Sequence, residues 1–272
     1  MVTPHWVQQQ LHANRGDLVV LDASIGAQRS LDTGIPGAKR FDIDGEFSCA
    51  NVELPHTMIS ADQFQSLVRM LGVNARSMVV VYDAAGIYSS ARAWWMFRAM
   101  GHSSVAVLDG GLPGWIAADF PVAPMTSTAI RIGDFVARPD VSAFVDQSQV
   151  LSLLADPGIS VLDARSLDRF EGNAPEPRAG LRSGHMPGSQ SLPLSDLVVN
   201  SHMLPPRELA VVIQDRLGEA GSIVASCGSG VTACVIALAA HLSGVADITV
   251  YDGSWSEWGL HEGPPIAGSS TA

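Results

Sequence analysis

The feature that most constrains the fold is an internal repeat. Four stretches of the first half recur in the second half, in the same order and at a nearly constant spacing, apart from an insertion at residues 173–182. The matched pairs are residues 21–23 and 162–164, 34–37 and 185–188, 78–86 and 222–230, and 107–115 and 250–258. Ordered matches of this kind are hard to produce by chance, so the sequence predicts a duplication with two related domains.

Each half alternates short apolar runs with helical patterns. Residues 17–22, 78–83 and 104–109 are continuous apolar stretches that end in aspartate, which is typical of buried parallel strands. Residues 61–71 have the spacing of an amphipathic helix, with Ser60 as its N-cap and Gly72 at its end. The predicted fold class is therefore α/β, with two tandem domains, each a mainly parallel β-sheet flanked by helices.

A stretch rich in proline, threonine and serine separates the two halves at residues 121–140. It has no sustained hydrophobic period, which indicates an ordered linker lying across the surface. The predicted domains are residues 1–122 and residues 141–272, with residues 123–140 as the linker; we expect only the second domain to be catalytic.

The composition excludes several classes of function. A net charge of −11 argues against binding to nucleic acid or to an anionic membrane surface. No apolar run is long enough to span a membrane, and the N-terminus has no secretion signal, so we expect a cytoplasmic protein. The three cysteines lack the spacing of a metal site and fit a reducing compartment. We expect no metal and no cofactor.

The most informative local motif surrounds Cys227. An apolar strand pattern at residues 222–226 meets this cysteine, a glycine-bearing loop follows, and an apolar helix pattern begins at about Ala233. Backbone N–H groups converge at such a loop and the helix N-terminus favours negative charge, so the position is typical of a nucleophilic thiolate. A helix end alone stabilises an anion by only about 0.3–2 kcal/mol, so other donors or a cation must contribute. The alternative is an ordinary buried thiol.

Other functions are compatible with parts of this motif. Gly228, Gly230 and Ala233 match the spacing of a dinucleotide-binding loop, and Asp252 ends a strand about twenty residues later, which would suit an NAD-dependent oxidoreductase. The first-half copy of the loop lacks that pattern. A cysteine phosphatase would need arginine six residues after Cys227, where this chain has Ala233. A non-catalytic sulfur carrier is a third alternative.

The motifs together resemble the two-domain rhodanese family. The resemblance rests on the tandem layout, on Asp-Gly-Gly-Leu-Pro-Gly-Trp at 109–115, on Gly-His-Met-Pro-Gly at 184–188 and on Cys-Gly-Ser-Gly-Val-Thr-Ala at 227–233. It implies two tandem rhodanese-like domains and a sulfurtransferase. In such an enzyme a sulfane sulfur passes through a persulfide on Cys227 to a thiol, a thioredoxin-like protein or cyanide.

The resemblance also implies the site residues. The loop residues Gly228, Gly230, Val231 and Thr232 would cradle the sulfur. Arg169 and Arg178 would bind the substrate, and with Arg165 and Arg182 they form a cluster that predicts a local positive field on an acidic protein. In the mercaptopyruvate type, an aspartate and a histidine of the first half act with the loop serine; here these are Asp44, His56 and Ser229.

The loop also bears on the small-molecule sulfur donor. The Cys-Gly-Ser-Gly-Val-Thr loop is similar to that of 3-mercaptopyruvate sulfurtransferases, whereas thiosulfate-type members carry basic residues at the positions of Gly228 and Ser229. The resemblance therefore implies 3-mercaptopyruvate as the donor, with thiosulfate, in a thiosulfate:cyanide sulfurtransferase, as the alternative.

Overall fold

The computed structural model describes residues 1–13, 16–125 and 131–268. The chain divides into two compact units. Each unit takes most of its residues from one half and a short segment from the other. The first unit comprises Met1–Asn51, Met58–Val141 and Asn200–Met203, and the second comprises Val52–Thr57, Ser142–Val199 and Leu204–Ala272.

The first unit contains a four-stranded parallel sheet in the order β3-β1-β4-β5. A short antiparallel pair, β2 with β6, lies apart from it. The elements of the first half are α1 (Pro4–His12), β1 (Leu18–Asp22), a 3-10 helix (Gly26–Ser30), β2 (Thr33–Gly34), β3 (Lys39–Arg40), α2 (Ala61–Met70), β4 (Met78–Tyr82), α3 (Ser90–Ala99), β5 (Val105–Val107), α4 (Gly111–Ala117) and β6 (Ala123–Pro124).

The second unit contains a five-stranded parallel sheet in the order β7-β13-β12-β8-β9. The elements of the second half are β7 (Phe144–Val145), α5 (Gln147–Leu153), β8 (Ile159–Asp163), α6 (Leu167–Glu171), β9 (Gln190–Ser191), a 3-10 helix (Leu194–Asp196), β10 (Val198–Val199), β11 (His202–Met203), α7 (Pro206–Leu217), β12 (Ser222–Ser226), α8 (Ala233–Leu242), β13 (Ile248–Tyr251) and α9 (Ser254–Trp258).

Both central strands are covered on both faces. Successive residues of a strand point to opposite faces of the sheet, and four consecutive residues of β4, Val79 to Tyr82, are all fully buried. The same holds for β12, in which Ile223, Val224 and Ala225 are at most 1% exposed. The continuous apolar runs therefore reflect sheets flanked by helices, and the predicted fold class is confirmed.

The helix limits follow from local sequence signals. Ser60 caps α2 by accepting a hydrogen bond from the Gln63 N–H, and Gly72 beyond its end has a φ of +80°. Asp146 caps α5 in a capping box with Gln149. In the described part of the chain, no helix is both long enough and apolar enough to cross a membrane.

The stretch between the halves belongs mainly to the first unit. Its residues 126–130 lie outside the described residues. After them, Gly133 and Arg138 donate backbone hydrogen bonds to Arg69 and Met100, and Phe135 is buried. Residues 131–140 therefore add to the core of the first unit as well as lying on its surface.

A buried histidine in the first unit gives a prediction about pH. His102 is 4% exposed and its Nε2 lies 2.9 Å from the carbonyl oxygen of Ser77, to which it donates. Burial lowers the pKa of His102 by more than hydrogen bonds to the backbone of Ser77 and Ser104 raise it. The unfolded chain therefore binds a proton more readily, and the stability from this group is present above about pH 6.5 and lost as the pH falls below it. Between pH 7.5 and pH 5.5, the free energy of unfolding measured by chemical denaturation should fall less in His102→Gln than in the unmodified protein, by up to about 1 kcal/mol. An equal loss in both proteins would contradict this.

Candidate active site

Cys227 lies at the carboxyl end of a central parallel strand. β12 ends at Ser226, Cys227 follows, and α8 begins at Ala233, as the sequence pattern predicts. Its neighbours β8 and β13 run parallel to β12, so the loops at their carboxyl ends meet beside Cys227. The residue is 1% exposed, whereas Ser229 in the same loop is 7% exposed.

The start of α9 orients the backbone of the cysteine loop. The N–H groups of Trp255 and Ser256 donate to the carbonyl oxygens of Cys227 and Gly228, both at 2.9 Å. A trans peptide points its N–H opposite to its C=O. The N–H groups of Gly228 and Ser229 therefore point away from α9.

Several N–H groups of this loop are left without a protein acceptor. Within residues 1–13, 16–125 and 131–268, no acceptor receives a hydrogen bond from the N–H groups of Gly228, Ser229, Val231 or Thr232. Gly230 has a φ of +75°, a left-handed conformation that glycine adopts without strain and that turns the chain toward α8. Successive free N–H groups next to a helix N-terminus are the chemistry of an anion site.

The same loop in the first unit already holds an anion. Asp83 occupies the position that matches Cys227, and its buried carboxylate accepts hydrogen bonds from the N–H groups of Ala85, Tyr88 and Ser90 at 2.8–2.9 Å. The Asp83 carbonyl also accepts from Leu112, as the Cys227 carbonyl accepts from Trp255. The backbone of this loop therefore converges on a negative group held at the strand end.

Two of those three donor positions carry over to the second unit, whereas the third, at Cys234, donates to the Val231 carbonyl at 3.1 Å. With the repeat aligned, Ala85 and Tyr88 correspond to Ser229 and Thr232, whose N–H groups have no acceptor in the described chain. The central glycines of the two loops, Gly86 and Gly230, both have positive φ. The cysteine loop thus repeats an anion-binding backbone without the internal carboxylate.

A serine on α9 that was not predicted from the sequence fixes the backbone of the cysteine. Ser254 is fully buried with a φ of +49°, a strained conformation for a residue other than glycine. Its hydroxyl donates to the Tyr251 carbonyl at 2.8 Å and accepts from the Cys227 N–H at 3.1 Å. The Cys227 Sγ lies 4.0 Å from the same oxygen. The available signal was the repeat, because the matching Gly111 also has positive φ.

The structure brings two of the predicted side chains together. His56 Nδ1 and Ser229 Oγ are 3.0 Å apart and share a hydrogen bond. His56 lies in the segment Val52–Thr57, which belongs to the second unit although it precedes most of the first-half sequence. Its φ of +60° is left-handed, a conformation that costs a side-chain-bearing residue of the order of 1 kcal/mol and is often retained at functional sites.

Asp44 is placed in the first unit. Its carboxylate accepts a hydrogen bond from the Gly26 N–H at 2.7 Å, at the start of the 3-10 helix. This contact holds the carboxylate where residues 26–30 begin.

An unpredicted carboxylate lies beside one of the predicted arginines. Glu176 has a side chain only 2% exposed, and its two oxygens lie 3.3 and 2.5 Å from Nε and Nη2 of Arg169. The sequence pattern points to the arginines of this segment and not to the glutamate between Pro175 and Pro177. The signal that could have found it is an acidic residue flanked by two prolines, which restrict its backbone.

The same glutamate also binds a buried arginine. Arg165 donates to Glu176 at 2.8 Å, to Asp163 at 2.7 Å and to the carbonyl of Gly184, and its guanidinium lies 4.0 Å from the ring centroid of Trp255. Burial alone would lower the pKa of Arg165, but the charges and hydrogen bonds of Asp163 and Glu176 outweigh it and raise that pKa. We call Asp163, Arg165, Arg169 and Glu176 the arginine network.

The expectation of a local positive field from four arginines is wrong for two of them. Arg165 and Arg169 face carboxylates in the arginine network. Arg182 donates to the carbonyls of Trp258 and Pro264, which ties the insertion to the C-terminal residues. Arg178 is exposed and pairs with no acid among the described residues. The carboxylates of Asp163 and Glu176 therefore compensate the charge of two of the four arginines.

The network reaches the cysteine loop through Arg169. A methyl group built on Gly228 would lie 3.2 Å from the Arg169 Nη2, so the guanidinium rests against the loop backbone next to Cys227. Arg169 keeps Nη1 free of any partner in the described chain.

The described residues contain no candidate metal site: no group of three or more His, Cys, Asp or Glu side chains among them is placed to hold a metal ion.

Comparisons with known proteins agree with this geometry. The family of rhodanese-like domains matches residues 3–118 and 146–261. A 3-mercaptopyruvate sulfurtransferase of Rattus norvegicus is 38% identical over 280 residues, which cover 97% of this chain and 93% of the relative. A mitochondrial thiosulfate/3-mercaptopyruvate sulfurtransferase of Arabidopsis thaliana is 38% identical and covers 94% of this chain and 76% of its own length.

A solved structure gives the same result. The crystal structure of a 3-mercaptopyruvate sulfotransferase with the rhodanese fold from Escherichia coli superposes with a TM-score of 0.82 at 33% identity. It covers 94% of this chain and 99% of its own. Both halves match the domain family and whole-length relatives are sulfurtransferases, so the chain belongs to the rhodanese family and is a sulfurtransferase.

Proposed function

We propose that the protein transfers a sulfane sulfur from 3-mercaptopyruvate through a persulfide on Cys227. The Cys227 thiolate attacks the donor sulfur, an S–S bond forms, and the C–S bond breaks with its electron pair moving into the enolate of pyruvate. A proton then converts the enolate into pyruvate. An acceptor thiolate attacks the outer sulfur of the persulfide, takes that sulfur and releases the Cys227 thiolate.

The observation that carries this proposal is the pair of matching loops. In the first unit the loop N–H groups converge on the Asp83 carboxylate, and in the second unit the corresponding groups of Ser229 and Thr232 have no acceptor in the described chain. A persulfide anion on Cys227 would supply one. Gly228, Gly230 and Val231 complete the cradle, Gly230 through its turn and the others through their N–H groups.

The remaining site residues would act on the donor. Ser229, paired with His56, would donate a hydrogen bond to the ketone oxygen, where charge develops as the enolate forms. Asp44 would orient His56. Arg169, through its free Nη1, and the exposed Arg178 would bind the carboxylate.

The charge next to the loop favours mercaptopyruvate over thiosulfate. Arg169 is the nearest cation to Gly228 that the described contacts reveal, and the buried Glu176 carboxylate compensates it. Neither Gly228 nor Ser229 adds a positive charge. A loop whose nearest cation is compensated suits a monoanionic keto acid, whose ketone and carboxylate need directed hydrogen bonds, better than a compact dianion.

The test is a side-by-side measurement of kcat/KM with the two donors. We expect mercaptopyruvate to exceed thiosulfate by at least about tenfold, which corresponds to about 1.4 kcal/mol. Gly228→Arg, which adds a cation beside the loop, should narrow that ratio. A thiosulfate preference in the unmodified enzyme would reject the donor assignment and leave the persulfide step intact.

The acceptor and location are part of the same proposal. All three cysteines are free, which suits a reducing, cytoplasmic environment where small thiols and thioredoxin-like proteins are abundant. We expect such thiols, or cyanide in an assay, to remove the outer sulfur. Cell fractionation that places the protein outside the cytoplasm would contradict the location.

A further inference from the structure

We propose that Glu176 is a positioning residue that sets the orientation of Arg169 for donor binding. The inference rests on the proposed function and deepens it. Glu176 touches neither Cys227 nor the loop in the contacts described; it would act through Arg169, which rests against Gly228.

The geometry of the carboxylate supports this role. Oε1 accepts from Arg165 at 2.8 Å, and Oε1 and Oε2 lie 3.3 and 2.5 Å from Nε and Nη2 of Arg169. Arg165 is fully buried and anchored on Asp163 and on the Trp255 ring. Glu176 therefore connects a fixed arginine to an arginine whose side chain is 23% exposed. Nε and Nη2 of Arg169 both donate to Glu176, and these two contacts fix the plane of the guanidinium and so the direction of Nη1.

The backbone around Glu176 is stiff. Pro175 and Pro177 flank it, and a following proline restricts Glu176 to extended conformations. The Glu176 carboxylate therefore contacts both arginines from a backbone that loses little conformational entropy when the donor binds. Preorganisation of this kind is what a directed contact to a planar carboxylate requires.

Other roles for Glu176 predict different effects of its removal on the KM for the donor. If Glu176 only compensated positive charge, its removal would strengthen the field on an anionic donor and lower KM. If it only supported folding, its removal would lower stability and the yield of active enzyme without changing KM. The positioning role alone predicts a higher KM.

The experiment compares Glu176→Gln and Glu176→Asp with the unmodified enzyme, in mercaptopyruvate kinetics. Gln removes the charge but keeps the shape, whereas Asp keeps the charge but is one methylene too short to reach both arginines. We expect KM to rise about tenfold in both variants, the scale of one lost charge-assisted hydrogen bond, with a smaller change in kcat. A lower KM in Glu176→Gln together with an unchanged Glu176→Asp would overturn the proposal in favour of charge compensation.

A double-mutant cycle separates positioning from a structural role. In an Arg169→Met background, Glu176→Gln should change KM by less than about twofold, because the residue through which Glu176 acts is absent. A full tenfold effect in that background would overturn the proposal. Circular dichroism and melting temperatures of each variant identify losses due to folding.

A readout without turnover distinguishes this inference from the proposed function. In the free enzyme, the Nε–H of Arg169 should give a slowly exchanging ¹⁵N–¹H signal that Glu176→Gln loses, assigned by its absence in Arg169→Met. If the enzyme does not use mercaptopyruvate but this signal behaves as expected, the donor assignment fails and the positioning of Arg169 stands. If the signal is unaffected by Glu176→Gln, the positioning role fails whatever the donor.

Discussion

Cys227→Ser is expected to abolish the sulfur adduct that the unmodified enzyme forms with donor. A serine hydroxyl is not ionised near neutral pH and cannot form a persulfide, so the transfer loses its covalent intermediate. We expect kcat to fall by about 10⁴-fold or more, as when other enzymes lose their nucleophile. Intact mass after treatment with mercaptopyruvate should show a gain of about 32 Da, one sulfur atom, in the unmodified protein and none in the variant.

The matched control is Cys49→Ser. Cys49 is partly exposed and is free, so it is another thiol that could collect sulfur nonspecifically. The adduct and the activity should both persist in Cys49→Ser. An adduct that survives Cys227→Ser and disappears with Cys49→Ser would move the sulfur to the wrong cysteine and refute the proposed intermediate.

Asp83→Ala should destabilise the first unit by about 2–4 kcal/mol. The substitution leaves the N–H groups of Ala85, Tyr88 and Ser90 without their acceptor. Ser90 is fully buried, and a buried donor left unsatisfied costs about 1–3 kcal/mol, whereas Ala85 and Tyr88 are exposed residues for which solvent offsets part of that cost. Chemical denaturation should show a lower midpoint, and hydrogen exchange should locate the loss in β4 and the start of α3.

Asp17→Ala provides the control, since it makes the same change of charge at an exposed side chain. It should change the free energy of unfolding by no more than about 0.5 kcal/mol. If Asp83→Ala is equally mild, the convergence of N–H groups on its carboxylate contributes little, and the argument for an anion cradle at Cys227 weakens with it.

The repeat made the fold predictable. β1, α2, β4 and β5 lie where the apolar runs, Ser60 and Gly72 indicate, because buried strands and helix caps leave signals within a few residues. The helix α1 and the short strands β2 and β6 were not predicted. The duplication also predicted Cys227 at the end of β12, since Asp83 follows β4. Local sequence and the repeat together therefore predicted the central strands of both sheets, but not the strand order.

The side-chain contacts of the site were less predictable. Glu176 lies seven residues from Arg169 in a loop without a period, and only folding reveals that its carboxylate is buried between two arginines. The sequence shows how many arginines the segment contains, but not which carboxylates pair with them in the fold. The contact between His56 and Ser229 was expected only from the resemblance. Since 173 residues separate the two, no local sequence pattern connects them.

The assignment of short segments to the opposite units has a consequence for dissecting the protein. Val52–Thr57 belongs with the second unit and Asn200–Met203 with the first. Cleavage between Val141 and Ser142 would therefore yield two fragments that each lack a piece of their own unit, and the fragment carrying Cys227 would lose His56. Such an exchange makes either half incomplete when it is expressed alone, although only the second half has a cysteine at the end of its central strand.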